Sequence, residues 1–319
     1  MRAPGFWRED GVLPRLLAPL GRIYGAATAW RVARPGWHAP VPVICCGNAT
    51  AGGSGKTTVA LDLGARLLAR GVTPAFLTRG YGGGGAVRRV DPGRDRVADV
   101  GDEALLLAAC AATYAGADRA HTARMAVEWG AQVLVMDDGL QNPALAKTAS
   151  LLIIDGAAGV GNGRVIPAGP LREPLAAAAA RCRAAIVVGH DDHGLGGSLG
   201  IPMLRADLES PAEVAGRRLY AFAGIGRPGK FFASLAAAGA EIAGSAEFAD
   251  HHRYSAGEFE RVMRAAARLG AEPVTTPKDA MRLTPAQRAR VRVAGVRLVW
   301  QDAAAIDALL DDVMAARRG

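Results

Sequence analysis

From Val41 onward, short apolar runs alternate with stretches in which apolar residues recur at helical spacing. An amphipathic stretch from Thr57 to Arg70, followed by Gly71, predicts one helix, and "GDEALLLAAC" opens a second. The apolar runs predict strands at 41–47, 74–80, 132–139, 150–156 and 184–190. This alternation is typical of an α/β fold in which a mostly parallel sheet has helices on both faces. Ligands of such sheets bind beyond the carboxyl ends of the strands.

A second alternation of strands and helices begins after about residue 210. It predicts strands at 218–226 and 241–248, and helices at 229–238 and 255–269. We therefore expect an N-terminal helical region over residues 1–40, a larger α/β domain over 41–210 and a smaller α/β domain over 211–319. A last helix, predicted at 303–317, can pack on either domain.

The N-terminal region has the pattern of one amphipathic helix. Between arginines and small residues, its apolar positions recur at helical spacing at Leu13, Leu16, Leu17, Leu20, Ile23, Tyr24, Ala27 and Trp30. Such a helix either lies in a membrane interface or packs on the domain as an ordinary helix, and the pattern alone favours neither. Pro19 predicts a break or kink. Arg22 interrupts the apolar stretch, so we expect neither a signal peptide nor a transmembrane helix.

Composition narrows the possible partners. The 319 residues carry a formal net charge of +8, mostly as arginine, which favours phosphate, nucleic acid or an acidic membrane as partner. No RNA-binding aromatic motif or helix-turn-helix signal is present, so nucleic acid is not expected. In residues 1–40 only Glu9 and Asp10 oppose a set of arginines, namely Arg2, Arg8, Arg15, Arg22, Arg31 and Arg34. The cysteines form no C-x-x-C pair and are expected to be reduced core residues, at Cys45, Cys46, Cys110 and Cys182.

The segment "GNATAGGSGKTTVA" (47–60) is close to the phosphate-binding loop G-x-x-x-x-G-K-[ST], but Thr50 stands where that pattern has its first glycine. A strand precedes the segment and a helix follows it, as such a loop requires. Its backbone N–H groups would bind phosphate oxygens, Lys56 would bridge the β- and γ-phosphates, and Thr57 would ligate Mg²⁺. The predicted nucleotide-binding residues are Thr50, Ala51, Gly52, Gly53, Ser54, Gly55, Lys56 and Thr57.

Carboxylates occur at two further informative positions. Asp137 and Asp138 end an apolar strand, where an aspartate can hold Mg²⁺, although a solvated turn before Gly139 would look the same. Asp102 and Glu103 open a helix. Their negative charges either only stabilise the N-terminus of this helix through its dipole, or, in a kinase, one of them accepts the proton of an alcohol.

Histidines follow an aspartate in "FADHHRYS" (248–255). Adjacent histidines on an extended segment point to opposite faces, so both cannot easily ligate one metal ion. The segment is therefore interpreted either as a histidine paired with a carboxylate or as a polar loop.

Eight segments occur together and in this order: "GNATAGGSGKT", "TRGYGG", "VGDE", "DDGLQN", "PAGPLREP", "FAGIGRPGKFF", "FADHHRY" and "TTPKDAMRL". With them the sequence closely resembles the tetraacyldisaccharide 4′-kinases, the lipid A 4′-kinases of Gram-negative bacteria, from the N-terminal helix to about residue 283. The resemblance implies a P-loop NTPase-like domain and a smaller C-terminal domain, with the active site in the cleft between them. It implies transfer of the γ-phosphate of ATP, with Mg²⁺, to the 4′-hydroxyl of a tetraacylated disaccharide 1-phosphate, giving lipid IVA.

The resemblance also implies roles for single residues. Asp102 matches the catalytic aspartate, His251 the catalytic histidine and Glu103 a metal-linked glutamate. Thr57, Glu103, Asp137 and Asp138 form the expected Mg²⁺ set. The expected substrate contacts are Asn48, Arg79, Gln141 and Arg172. Two residues depart from the family pattern: Asn142 replaces a frequent histidine and Pro277 replaces an acidic residue, whereas the family itself carries a hydroxyl residue at the position of Thr50.

The substrate of the resembling family is a membrane lipid, which favours the membrane interpretation of the N-terminal helix. We expect a peripheral enzyme on the cytoplasmic face of the inner membrane, without an obligate protein partner. The alternative is a deviant P-loop ATPase of the partitioning type that acts as a switch at the membrane. That class has a lysine just before the two glycines, where this chain has Ala51. A non-enzymatic binder of nucleic acid or membrane is a further alternative, motivated by the charge.

Overall fold

The computed structural model describes residues 4–195, 197 and 199–316. Arg2 and Arg317, which were part of the predictions above, lie outside this range. The described residues form two sheets with helices on both faces of each. The body built on the larger sheet is here termed the larger lobe, and the body built on the smaller sheet is termed the smaller lobe.

Nine strands form the larger sheet. In chain order they are β1 Val43–Gly47, β2 Pro74–Thr78, β3 Arg88–Arg89, β4 Thr113–Ala115, β5 Val133–Asp137, β6 Ala149–Asp155, β7 Ala184–Val188, β8 Met203–Glu209 and β13 Arg297–Trp300. Their order across the sheet is β13-β8-β7-β6-β1-β5-β2-β4-β3, and only the edge strands β13 and β3 run antiparallel to their neighbours. The predicted mostly parallel sheet is therefore correct. Strand β1 lies between β5 and β6, so the ends of these three strands meet.

The helices of the larger lobe are α1 Val12–Val32, α2 Lys56–Ala69, α3 Val97–Val100, α4 Asp102–Ala108, α5 Arg119–Glu128, α6 Leu175–Ala179 and α11 Ala303–Ala315. Because both faces of the sheet are covered, its central strands are continuously apolar. In β1, Ile44 and Cys46 pack on the side of α2, whereas Val43 and Cys45 pack on the other side. Cys182 is also buried, Cys110 is half-buried, and all four cysteines are free thiols, as expected.

The smaller sheet consists of β9 Arg218–Ala223, β10 Glu241–Glu247, β11 Glu272–Thr275 and β12 Arg292–Val293, in the order β10-β9-β11-β12 and all parallel. Its helices are α7 Pro228–Ala237, α8 Ala256–Arg268, α9 Pro277–Ala280 and α10 Pro285–Arg288. The boundary predicted after residue 210 falls between β8 and β9. The chain later returns to the larger sheet, where Ile306, Leu310 and Val313 of α11 join the core. The last helix thus packs on the larger lobe.

Helix α1 is continuous over 21 residues, so of the expected break or kink at Pro19 the break is wrong. Pro19 is exposed, and the helix is held through its small residues instead of its apolar stripe. A Cβ at Gly21 would lie 2.8 Å from the carbonyl oxygen of Val165, and one at Gly25 would lie 3.7 Å from Pro174. The large apolar side chains are exposed: Val12, Leu13, Leu16, Leu20, Ile23, Tyr24 and Trp30. Across the described residues, no helix has the length and apolar character needed to cross a membrane.

The contact of α2 with β2 gives a stability prediction. A Cβ at Gly64 would lie 2.3 Å from Cζ of the buried Phe76. We expect Gly64→Ala to lower the free energy of unfolding by about 1–3 kcal/mol, because overpacking outweighs the gain in helix propensity. The matched control is Gly257→Ala in α8, where no heavy atom lies within 4 Å, and we expect it to be neutral or stabilising. Urea unfolding measures both, and an equal gain in both variants would contradict this packing.

Candidate active site

The loop between β1 and α2 has the backbone of an anion-binding site. Gly52 and Gly55 have φ angles of 134° and 84°, a left-handed region that favours glycine. No atom would contact a Cβ at Gly52 or Gly53, so this side of the loop is open. Helix α2 starts at Lys56 without a side-chain cap and without an acidic residue in its first turn. Its N-terminal N–H groups and dipole are therefore available to phosphate.

Buried polar contacts hold the loop in place. Asn48 is buried, and its Nδ2 donates to Thr50 Oγ1 at 3.1 Å and to the carbonyl of Gly52 at 3.3 Å. Gln141 Nε2 donates to the carbonyl of Asn48 at 2.9 Å. Thr50 pairs with Leu171 in an antiparallel bridge, a backbone conformation that needs no glycine. Thr50 thus supports the loop, and substrate contacts by Asn48 and Gln141 stay a prediction.

Thr57 and Asp137 fit a magnesium ion held together with a nucleotide. Thr57 Oγ1 donates to Asp137 Oδ2 at 2.9 Å, and Asp137 Oδ1 is buried without a hydrogen-bond partner among the described residues. Burial and the nearby charge of Glu103 raise the pKa of Asp137 to about 7, although the charge of Lys56 and the hydrogen bond from Thr57 oppose this shift. The described part of the chain contains no cluster of three or more histidine, cysteine or acidic side chains suited to a metal. Mg²⁺ commonly binds through one or two carboxylates, phosphates and water, which agrees with this sparse set.

Asp138 lies between two cations. Lys56 Nζ is 3.8 Å from its Oδ2, and Arg172 Nη1 donates to its Oδ1 at 3.0 Å. Although burial alone would raise the pKa of Asp138, the charges of Lys56 and Arg172 lower it. The adjacent aspartates therefore have opposite pKa shifts, as expected if they serve different functions.

Asp102 and His251 form a contact between the two lobes. Asp102 begins α4 and is buried, and His251 Nδ1 lies 3.0 Å from its Oδ2. Burial alone would raise the pKa of Asp102, but the hydrogen bond to His251 and the charges of Lys278 and Arg282 hold it well below its usual value. Asp102 is thus ionised and oriented.

The backbone conformation separates the two histidines. His251 has a φ of 59°, a left-handed conformation that turns its ring toward the larger lobe. His252 stacks on Phe248 with ring centroids 4.9 Å apart, and its Nε2 is 3.2 Å from Glu258. The two histidines face different partners, as expected, but the backbone at His251 is left-handed instead of extended, and His251 is the one beside Asp102.

The remaining predicted residues lie around this centre. Glu103 Oε1 accepts a hydrogen bond from Lys278 Nζ at 3.1 Å, so a cation of the smaller lobe is its partner here. Arg79 is exposed in the glycine-rich loop. Pro277, one of the departures from the family pattern, occupies the first position of α9, where proline is favoured. Asn142, the other departure, accepts the backbone N–H of Ala144 at 2.9 Å.

Sequence reasoning missed three cations of this region. Arg282 and Lys278 come from "TTPKDAMRL", a segment that supported the family resemblance without any role for its residues. Arg119 is buried and donates to the carbonyl of Gly116. Burial lowers the pKa of Arg119 to about 10, while the charges of Asp138 and Asp137 oppose that shift. The sequence held no local signal for Arg119, since it follows no predicted strand and no glycine loop.

Comparison with known proteins identifies the family of this chain. A family model described as tetraacyldisaccharide-1-P 4′-kinase matches residues 13–315. A tetraacyldisaccharide 4′-kinase of Gluconacetobacter diazotrophicus is 55% identical, with 98% of each chain covered. The chain belongs to this family. A relative of the same name from Rhodospirillum rubrum is 50% identical, with 99% of each chain covered.

The fold has a solved counterpart. The crystal structure of LpxK from Aquifex aeolicus, in complex with ATP, superposes with a TM-score of 0.74 at 24% identity and covers 95% of this chain and 100% of that one. The predicted fold class is therefore confirmed. The family resemblance and the expected enzyme class, a lipid A 4′-kinase, are confirmed by the family match and the curated relatives.

The raised pKa of Asp137 gives a pH-dependent stability prediction for the protein without nucleotide or metal. Asp137 binds a proton up to about pH 7 when folded, but only to about pH 3.9 when unfolded. Its stabilising contribution is complete below pH ~3.9 and is lost as the pH rises through about 7. We expect Asp137→Asn to be more stabilising relative to wild type at pH 8 than at pH 5, by roughly 1–3 kcal/mol.

Urea unfolding of both proteins at the two pH values, with EDTA present, measures this difference. The control is Asp207→Asn, which changes a carboxylate of β8 away from this site. A stability difference for Asp137→Asn that is the same at pH 5 and pH 8 would contradict the assigned environment.

Proposed function

We propose that this chain transfers the γ-phosphate of ATP to the 4′-hydroxyl of a tetraacylated disaccharide 1-phosphate, with Asp102 as the general base. The observation that carries this assignment is the buried carboxylate of Asp102, held 3.0 Å from His251. The phosphate-binding loop, which would hold the phosphate donor ATP, lies nearby. Its proximity follows from Glu103, the neighbour of Asp102, because the charge of Glu103 is close enough to Asp137 to raise the pKa of Asp137. Family membership supports the substrates.

The mechanism starts with binding of the triphosphate. The loop amides and Lys56 hold the β- and γ-phosphates at the N-terminus of α2. Thr57 and Asp137 would hold Mg²⁺, with Glu103 and Asp138 nearby, and the ion would supply positive charge to the transferred phosphate. When ATP enters, Lys56 exchanges its 3.8 Å contact with Asp138 for the phosphates. Arg172 remains beside Asp138, and Arg79 and Arg172 then meet anionic groups of the substrates.

Transfer requires the removal of one proton. The 4′-hydroxyl oxygen attacks the γ-phosphorus while its proton passes to Asp102. A new oxygen–phosphorus bond forms as the bond between the γ-phosphorus and the bridging oxygen of ADP breaks, and ADP leaves with that electron pair. His251 keeps the carboxylate in one orientation. No covalent intermediate with the protein is needed.

The smaller lobe, which runs from β9 to β12 because β13 and α11 return to the larger lobe, closes this cleft in our proposal. Besides His251 it provides Arg227 and Lys230, which bind Asp155 at the end of β6 at 2.9 and 2.8 Å. These ion pairs lie at the carboxyl edge of the larger sheet, where substrates bind. They support a cleft between the larger and the smaller lobe that is bridged by ion pairs.

The general-base assignment makes a kinetic prediction. We expect Asp102→Ala to lower kcat by ~10²–10⁴, the usual worth of a general base, while the Kd for ATP changes little. The measurement is transfer of radiolabelled phosphate to the lipid, together with calorimetric titration by ATP. Glu128→Ala, which removes an exposed carboxylate of α5 in the same lobe, serves as control. Near wild-type kcat for Asp102→Ala would contradict the assignment, and ATP hydrolysis without a phosphorylated lipid would favour the ATPase switch.

We also propose that α1 holds the enzyme on the cytoplasmic surface of the inner membrane. Its apolar side chains are exposed, with Leu16 at 72%, Ile23 at 67% and Trp30 at 67%. Arg15, Arg22 and Arg31 lie on the same helix and would favour anionic lipid. The helix rests on the larger lobe by its small residues, so the apolar stripe remains available to lipid.

This proposal predicts a loss of membrane binding when the stripe is made acidic. Leu16→Glu combined with Leu20→Glu should weaken sedimentation with vesicles of phosphatidylethanolamine and phosphatidylglycerol by more than ~10-fold, because burial of each leucine is worth about 1.5–3 kcal/mol. The control is Leu68→Glu, an exposed leucine of α2. Equal binding of the double variant and the control would contradict the assigned role of α1.

A further inference from the structure

The segment from Thr276 to Arg282 belongs to the smaller lobe but supplies two cations to the acidic pair of α4. Lys278 Nζ is 3.1 Å from Glu103 Oε1. Arg282 Nε donates to Asp102 Oδ2 at 2.8 Å, and Arg282 Nη2 donates to the same oxygen. The segment therefore contacts the proposed general base directly, from across the cleft.

The guanidinium of Arg282 has little freedom to move. Its side chain is 1% exposed, and its Nη1 donates to the carbonyl of Gly224 at 2.6 Å and to Asp279 Oδ1 at 2.9 Å. Asp279 is itself held by Thr276 Oγ1 at 2.6 Å and by the hydroxyl of Tyr254 at 2.8 Å. A planar guanidinium fixed at one edge presents its other edge in one direction.

These contacts distinguish the two oxygens of Asp102. Oδ2 accepts from Arg282 and lies beside His251, whereas Oδ1 accepts only the backbone N–H of Glu103, at 2.9 Å, within the described part of the chain. A carboxylate oxygen has room for two hydrogen bonds, so Oδ1 can accept one more.

We propose that Arg282 is a positioning residue, which fixes Oδ2 of Asp102 so that Oδ1 faces the accepting hydroxyl. This inference rests on the proposed function, because it assumes that Asp102 is the base. It also makes the base dependent on the smaller lobe, since Arg282 reaches Asp102 only when the lobes are in contact. Arginine is needed for the full set of contacts because the ammonium of lysine cannot donate hydrogen bonds to Asp102, Asp279 and the carbonyl of Gly224 in this planar arrangement.

A purely structural role is the rival explanation. Arg282 also compensates the charge of the buried Asp279, so its loss could lower stability without any specific effect on catalysis. The test therefore has to show whether Arg282 acts through Asp102. The variants are Arg282→Gln, which loses the charge, and Arg282→Lys, which keeps it. The matched control is Arg290→Gln, which removes a surface ion pair with Glu260 in the same lobe.

The first readout is the division between kcat and KM. We expect Arg282→Gln to lower kcat by about 10- to 100-fold, part of the ~10²–10⁴ attributed to general-base catalysis, with the KM for ATP changed by less than about twofold. Arg282→Lys should retain more kcat than the glutamine variant, and Arg290→Gln should match wild type. Thermal unfolding and ATP titration identify any variant that is misfolded, and in that case Arg282→Lys carries the test.

The second readout is a double-mutant cycle with Asp102→Asn. If Arg282 acts through Asp102, its substitution should not lower the residual kcat of Asp102→Asn any further. If the Arg282 substitution reduces kcat by the same factor in wild type and in Asp102→Asn, the positioning role is overturned and a structural role remains. Near wild-type activity of Asp102→Asn alone would instead refute the base assignment, and the inference with it, so the two failures are distinguishable.

Discussion

The buried carboxylate of Asp102 is the point on which the site depends. An ionised group removed from water costs several kcal/mol unless partners compensate it. Here the partners are His251 and Arg282, and both come from the smaller lobe. Within the described residues, the larger lobe offers this carboxylate the backbone N–H of Glu103, and the cations that lower its pKa come from the smaller lobe. Ionisation of this group and closure of the two lobes support each other.

The larger sheet explains why the phosphate-binding loop lies close to Asp102. Strand β1 pairs with β5 on one side and β6 on the other. The phosphate-binding loop, Asp137 and Asp155 thus emerge at one edge. The same edge carries the ion pairs to Arg227 and Lys230 of the smaller lobe. A parallel sheet with a central first strand therefore brings together the phosphate-binding loop, the proposed magnesium ligands and the ion-pair sites of the smaller lobe.

Much of this arrangement was predictable from sequence because it is encoded locally. Buried strands of a parallel sheet are continuously apolar, so β1, β5 and β6 were visible as patterns, and so were the carboxylates Asp137 and Asp138 at the end of β5. Contacts between distant residues were not. Arg282 lies 180 positions from Asp102, and no periodicity links the two. The left-handed backbone of His251 had no signal in the sequence either, and the local pattern did not show that α1 continues past Pro19. Antiparallel β13 and the position of α11 required knowledge of the tertiary fold.

The central claim is that this chain phosphorylates a lipid hydroxyl and is not only an ATPase. The most direct measurement is mass spectrometry of a tetraacylated disaccharide 1-phosphate after incubation with the protein, ATP and Mg²⁺. The account predicts that the lipid gains the mass of one phosphate and that fragmentation locates it on the 4′ position. ATP consumption with an unchanged lipid mass would contradict the account.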